Sequence, residues 1–234
     1  MKCFLFSLFI IPIVLFGDDD RVKGKYCIIP EARRLVIGMT TGSAFNVAAN
    51  TTISQAGFPD INLKAKWATE AFKMPIYWDL LAEYSERRFQ VGVHFMHHKL
   101  VLTNEHALLE KISITHGYNI FNLYGGYRFL ANSKHYSFYG LIGVGVAFSH
   151  PEGKVRGQNI SRLEGVPLLS GNYDMSYPNF ELAIHKDWML NKKLAVRSAF
   201  KTTYFNGKIE TRNGYIDLNT LSFHVNLGLS YQIQ

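Results

Sequence analysis

Eight segments of this 234-residue chain alternate apolar and polar residues with a period of two. That period is typical of β-strands whose two faces meet different surroundings. In the last segment Leu221, Phe223 and Val225 share one face, while Ser222 and His224 share the other. The eight segments are Arg34–Val47, Lys73–Tyr84, Arg88–Leu102, Gly117–Leu130, Tyr136–Ser149, Pro178–Met189, Lys193–Phe205 and Thr220–Ile233.

The segments are long for a globular protein, and their connections alternate in length. An average globular strand has ~5–6 residues, whereas a tilted strand that crosses a bilayer needs ~9–11. The tight connections are Ser85–Arg87, Ala131–His135 and Leu190–Lys192. The long connections are about Ala48–Phe72, Thr103–His116, His150–Tyr177 and Asn206–Asn219. We therefore predict an all-β fold: an eight-stranded antiparallel up-and-down transmembrane barrel with short periplasmic turns and long outer loops.

The two faces of the predicted strands indicate which side meets lipid. The apolar face carries almost no charge over the strand centres, as a lipid-facing surface requires. The polar face carries many glycines, which a narrow eight-stranded interior can accommodate without leaving an open pore. It also holds charged residues that we expect to form a luminal network: Asp79, Glu83, Arg128, Glu181, Arg197 and Lys201.

The N-terminus has the pattern of an export signal. Lys2 precedes the apolar run Phe4–Phe16, which is too short to span a bilayer as a helix, and Gly17 follows it. We predict a signal peptide over residues 1–17, a short periplasmic arm over 18–33 and the barrel over 34–234. Cys27 is then the one cysteine of the mature chain, and the expected location is the bacterial outer membrane.

Two stretches resemble a known family. They are Asn122–Phe129, which reads NLYGGYRF, and Phe138–Phe148, which reads FYGLIGVGVAF. The chain resembles the OmpA/opacity-type outer-membrane barrels, whose middle strands often combine an aromatic–Gly–Tyr–Arg–Phe run with a following G-x-G stretch. The resemblance implies the same eight-stranded barrel.

Candidate chemical sites in the sequence are weak. His94 and His98 share a face but lie ~13 Å apart along a strand, too far to bind one ion. Ser222 and His224 lie ~6–7 Å apart along the chain, which is beyond direct hydrogen-bond reach for a nucleophile and its base. We therefore expect no metal, no cofactor and no enzymatic activity.

Function is expected in the outer loops. The third loop carries Lys154, Arg156 and Arg162 among glycines and is the predicted contact surface. We predict a structural or adhesion-type surface protein, a monomer in contact with outer-membrane lipid and with host or matrix surface molecules. The scattered basic residues argue against a nucleic-acid partner. The alternatives are an outer-membrane lipid-modifying hydrolase and a soluble periplasmic lipid-binding barrel.

Overall fold

The computed structural model describes residues 33–133, 136–161 and 174–233. The predicted signal peptide, the predicted arm up to residue 32, Cys27 and Arg162 lie outside them. In the described residues the chain forms β1 (Arg34–Asn46), β2 (Ala49–Gln55), β3 (Ile61–Ala65), β4 (Trp67–Ala68), β5 (Trp78–Glu86), β6 (Phe89–Leu102), β7 (Leu109–Ser133), β8 (Tyr136–Ser149), β9 (Glu152–Val155), β10 (Gln158–Asn159), β11 (Asp174–Met189), β12 (Leu194–Thr211) and β13 (Gly214–Ile233).

Eight of these strands close into a ring in chain order. The order is β1, β5, β6, β7, β8, β11, β12 and β13, with β13 paired back to β1 and every pair antiparallel. The predicted eight-stranded up-and-down barrel is therefore confirmed. Closure leaves no open sheet edge around the wall, which is what a sheet in hydrocarbon requires.

The register around the ring is staggered. A path can be followed around the wall from each residue to the one paired with it on the next strand. Starting at Leu35, it passes through Tyr84, Val91, Gly125, Ile142, Leu182, Thr202 and Phe223 and ends at Phe45. The path returns to β1 ten residues beyond its start. Such a shift accompanies strands that tilt by roughly 35–45° from the barrel axis. Strands of this length can cross a bilayer at such a tilt.

The outer face of the wall is a continuous apolar belt, and the inner face is polar. Ile142 and Leu182 are 68% and 60% exposed, whereas Asp79 and Arg197 are 0% and 2% exposed. A water-soluble protein rarely exposes an apolar patch of more than a few hundred Å². The distribution is therefore that of a transmembrane barrel. Among the described residues, no helix has the length and apolar character to cross a membrane.

Several strands continue beyond the belt at the end opposite the termini. The predicted long loop Asn206–Asn219 is instead a strand hairpin, because β12 and β13 stay paired up to Thr211 and Gly214. β7 begins at Leu109, earlier than predicted. The predicted segment Lys73–Tyr84 becomes a strand only at Trp78.

The other long connections also contain paired strands. β2 adds to the free edge of β13 and carries β3, β4 adds to β6, and β9 adds to β7 and carries β10. We call residues 49–77, 103–116, 150–161 and 206–219 the outer cap. Its buried core includes Ile53, Ile61, Trp67, Ile112, Val155, Ile160, Ile209, Ile216 and Leu218. The cap is thus a packed layer over the barrel mouth.

Candidate functional sites in the lumen and the outer cap

A buried guanidinium links strands that are not neighbours in the wall. Arg197 on β12 donates to Glu83 on β5 through both terminal nitrogens, at 2.8 and 2.5 Å. It also donates to both carboxylate oxygens of Asp187 on β11, at 2.7 and 2.9 Å. Tyr124 adds a hydroxyl donor to Glu83 at 2.8 Å. Bidentate pairs of this kind fix geometry as well as charge.

A second charged group lies next to the first. The Lys201 ammonium contacts Asp79 Oδ2 and lies 2.9 Å from His94 Nδ1. The other ring nitrogen of His94 lies 3.0 Å from Glu181 Oε2. Asn122 donates to that same carboxylate oxygen at 2.9 Å. The interior at this level is therefore filled by charged side chains, and only small cavities remain between them.

The structure brings together five of the six residues expected in the luminal network. The sixth, Arg128, is buried at the end near the short turns, and none of the carboxylates in the described segments lies within ion-pair distance of it. Sequence reasoning missed His94 and Asp187 as members of the network. Both stand at luminal positions of their strands, so the period-two pattern already placed them on the inner face.

A layer of rings separates the charged groups from the cap core. His224 Nδ1 lies 3.0 Å from the Tyr77 hydroxyl, and the His98 and His224 rings are 4.9 Å apart. Tyr118 stacks edge-on against Phe205 above them. The luminal side chains thus change from charged to aromatic to aliphatic in the direction of the outer cap.

The arrangement does not assemble Ser222 and His224 into a nucleophile and its base. Ser222 donates to Asn46 Oδ1 at 2.6 Å. His224 Nε2 lies 2.8 Å from the Thr203 hydroxyl. No hydrogen bond joins Ser222 to His224 within the described part of the chain, and both residues are fully buried. The described residues also contain no group of three or more His, Cys, Asp or Glu side chains that could hold a metal ion.

The two described basic residues of the third loop have different environments. Arg156 donates to the Pro59 carbonyl at 2.6 Å and to Gln55 at 3.0 Å, and its guanidinium lies 4.9 Å from the Phe58 ring centre. It therefore joins the first and third loops. Lys154 forms a solvent-exposed ion pair with Glu110 at 3.2 Å. Lys154 is thus the more accessible of the two to a partner.

The closed ring, the apolar belt and the filled lumen define this chain as a bacterial outer-membrane β-barrel of eight strands. Among solved structures it is similar to the outer membrane protein AlkL, with 12% identity and a TM-score of 0.49 over 93% of this chain and 97% of that one. It is also similar to Neisserial surface protein A, with 9% identity and a TM-score of 0.41 over 87% and 100% of the two chains. The attachment invasion locus protein Ail of Yersinia pestis gives 12% identity and a TM-score of 0.38 over 86% and 97%.

No protein-family model matches the chain, and no curated protein matches it. The fold therefore rests on the strand register and on the distribution of exposed residues described above.

Proposed function

We propose that this protein is a non-enzymatic, adhesion-type surface barrel that binds host or matrix molecules through the outer cap. The observation that carries the proposal is the cap itself, a packed layer with its own apolar core above a filled lumen. A barrel filled in this way offers no aqueous channel for general solute passage. Its functional surface is then the exposed outer face of the cap.

The basic residues of the cap supply the proposed contact. Lys64 and Lys208 are exposed, as is Lys154, and they lie on three different loops. Lysine ammonium groups at such positions attract anionic surfaces at long range. Arg156 has a supporting role in the proposal, because it holds the first and third loops together.

We also infer membership of the OmpA/opacity-type barrels. Support comes from the pairing of the two motif stretches, in which Tyr124 faces Gly143 and Asn122 faces Gly145 across β7 and β8. A Cβ atom at Gly145 would collide with the Phe121 carbonyl and with Asn122. The G-x-G run therefore leaves room for the large luminal residues of the aromatic motif.

Whole-cell binding tests the adhesion proposal. Cells that display the protein should adhere to a surface coated with extracellular-matrix extract better than vector cells do. The triple variant Lys64→Glu/Lys154→Glu/Lys208→Glu should lose most of this adhesion. The matched control Lys192→Glu/Lys193→Glu alters charge at the opposite end of the barrel and should retain it. Adhesion equal to that of vector cells would reject the proposal.

A further inference from the structure

A groove on the lipid-facing surface breaks the regularity of the apolar belt. Its volume is about 590 Å³. It begins at Phe89 on β6 and extends across β7, β8 and β11 to β12. Gly125 and Gly140 line it together with larger apolar residues such as Ile142 and Phe200. Directly paired residues of four strands line it, namely Gly125, Ile142, Leu182 and Thr202. The groove therefore runs across the strands and extends over four strand spacings, roughly 19 Å.

Packing of the barrel does not require the glycine at position 125. A Cβ atom added at Gly125 would meet no other atom within 4 Å, whereas one at Gly145 would collide with the neighbouring strand. A glycine in a strand offers no side chain for packing and often marks a site of close approach by a ligand. The chain therefore keeps this part of the wall concave where a larger apolar side chain would fit.

Basic residues lie beside the groove at its periplasmic side. Arg88 precedes Phe89 and donates to the Tyr127 hydroxyl at 3.3 Å, and both aromatic residues line the groove. Lys186 lies two residue pairs from Ile184 and Gly140 along β11 and β8. Its ammonium is 3.5 Å from the Trp188 ring centre and 4.7 Å from that of Phe138. Aromatic and basic side chains together are typical of the membrane–water interface.

We propose that this groove is a phospholipid-binding site for one lipid of the periplasmic leaflet. One acyl chain lies over Gly125 and Gly140, and the anionic phosphate contacts Arg88 and Lys186. Apolar contact along the groove supplies affinity for the chain. The two cations select a lipid with a negative headgroup. The site is separate from the outer cap, so the adhesion proposal can fail without affecting it.

Native mass spectrometry with dimyristoylphosphatidylglycerol tests the site. The full chain, folded in detergent, should retain one lipid after the others dissociate. Gly125→Leu fills the groove and should weaken retention about tenfold, which corresponds to about 1.4 kcal/mol. Thr202→Leu fills it from β12 and should act in the same direction. Ala82→Leu, on the outer face of β5 away from the groove, is the matched control and should leave retention unchanged.

A neutral lipid without a phosphate distinguishes binding of the acyl chain from binding of the headgroup. Arg88→Gln/Lys186→Gln should weaken retention of phosphatidylglycerol but not of dimyristoylglycerol. Equal retention by wild type, Gly125→Leu and Thr202→Leu would overturn the groove as the binding site, and so would wild-type protein without a retained lipid. Unchanged phosphatidylglycerol retention in the double Gln variant would overturn the headgroup assignment. Heat-dependent gel migration establishes that each variant is folded.

Discussion

Arg197 and Glu83 meet inside the barrel although two strands, β13 and β1, separate β12 from β5 in the wall. Their side chains therefore link two strands of the ring that share no backbone ladder. Asp187 completes the group, so one guanidinium is bound by two carboxylates. Such a buried charge is stable only while all partners are present.

We expect Arg197→Met to lower the free energy of unfolding by about 3–5 kcal/mol, because it leaves Glu83 and Asp187 buried without their cation. Urea unfolding in detergent micelles, followed by tryptophan fluorescence, measures the change. Lys154→Gln removes an exposed ion pair and should cost less than about 1 kcal/mol. Equal effects of the two substitutions would contradict a structural role for the luminal group.

Charge on the outer face should prevent assembly. Val144 lies in the apolar belt on β8 and is 48% exposed to its surroundings. Val144→Arg would place a cation near the bilayer centre at a cost of ~2–4 kcal/mol. The fraction of heat-modifiable protein in isolated membranes should fall sharply, whereas Val144→Leu should leave it unchanged. Normal assembly of the Arg variant would mean that the lipid-facing surface is assigned to the wrong side.

The two glycines of the G-x-G run should differ in tolerance. A Cβ atom at Gly143 would lie 3.2 Å from the Tyr124 Cβ atom, a close but adjustable contact. At Gly145 it would collide with backbone of β7, which cannot move without disturbing the ladder. Gly145→Ala should therefore lower the urea midpoint more than Gly143→Ala does. The reverse order would show that the strands approach one another differently at these positions.

Loss of Ser222 or His224 should not alter membrane lipid. Neither side chain is exposed, and each is engaged with other luminal residues. The mass spectrum of lipid A from cells that express Ser222→Ala or His224→Ala should match that from wild-type cells. Ser222→Ala should still destabilise the barrel by about 1 kcal/mol because Asn46 loses a hydrogen bond. A lipid A difference that depends on either residue would favour the hydrolase alternative.

Proteolysis of intact cells should report both orientation and the role of Arg156. Proteinase K should cleave the cap of Arg156→Ala faster than that of wild type, because the contact with Pro59 is lost. Lys154→Ala is the control and should behave as wild type. The turn at Lys192 and Lys193 should be cut only after the outer membrane is permeabilised. Cleavage of this turn in intact cells would show that the barrel has the opposite orientation in the membrane.

The sequence predicted the wall of the barrel closely because each strand inside the bilayer has one lipid-facing and one luminal side. β6, for example, was predicted as Arg88–Leu102 and spans Phe89–Leu102. The prediction of strand ends failed where the chain leaves the membrane. β12 and β13 continue as a hairpin beyond Phe205 and Thr220 because the two strands remain paired with each other and pack against the cap core there.

The cap could not be predicted because its partners are distant in sequence. Ile53 and Ile216 pack in one core. Each lies in a short stretch whose sequence pattern is equally compatible with an exposed loop. The luminal positions of Glu83 and Arg197 followed from their strands, but their direct contact depended on the stagger of the ring. That stagger is a property of all eight pairings together.

β13 pairs with β1 over most of its length and with β2 near its outer end. The same strand therefore seals the cylinder and also joins the first loop to the final hairpin. A molecule that has not yet closed in the membrane cannot display a finished outer face. Exposure of a complete outer cap on the cell thus reports that the barrel has closed.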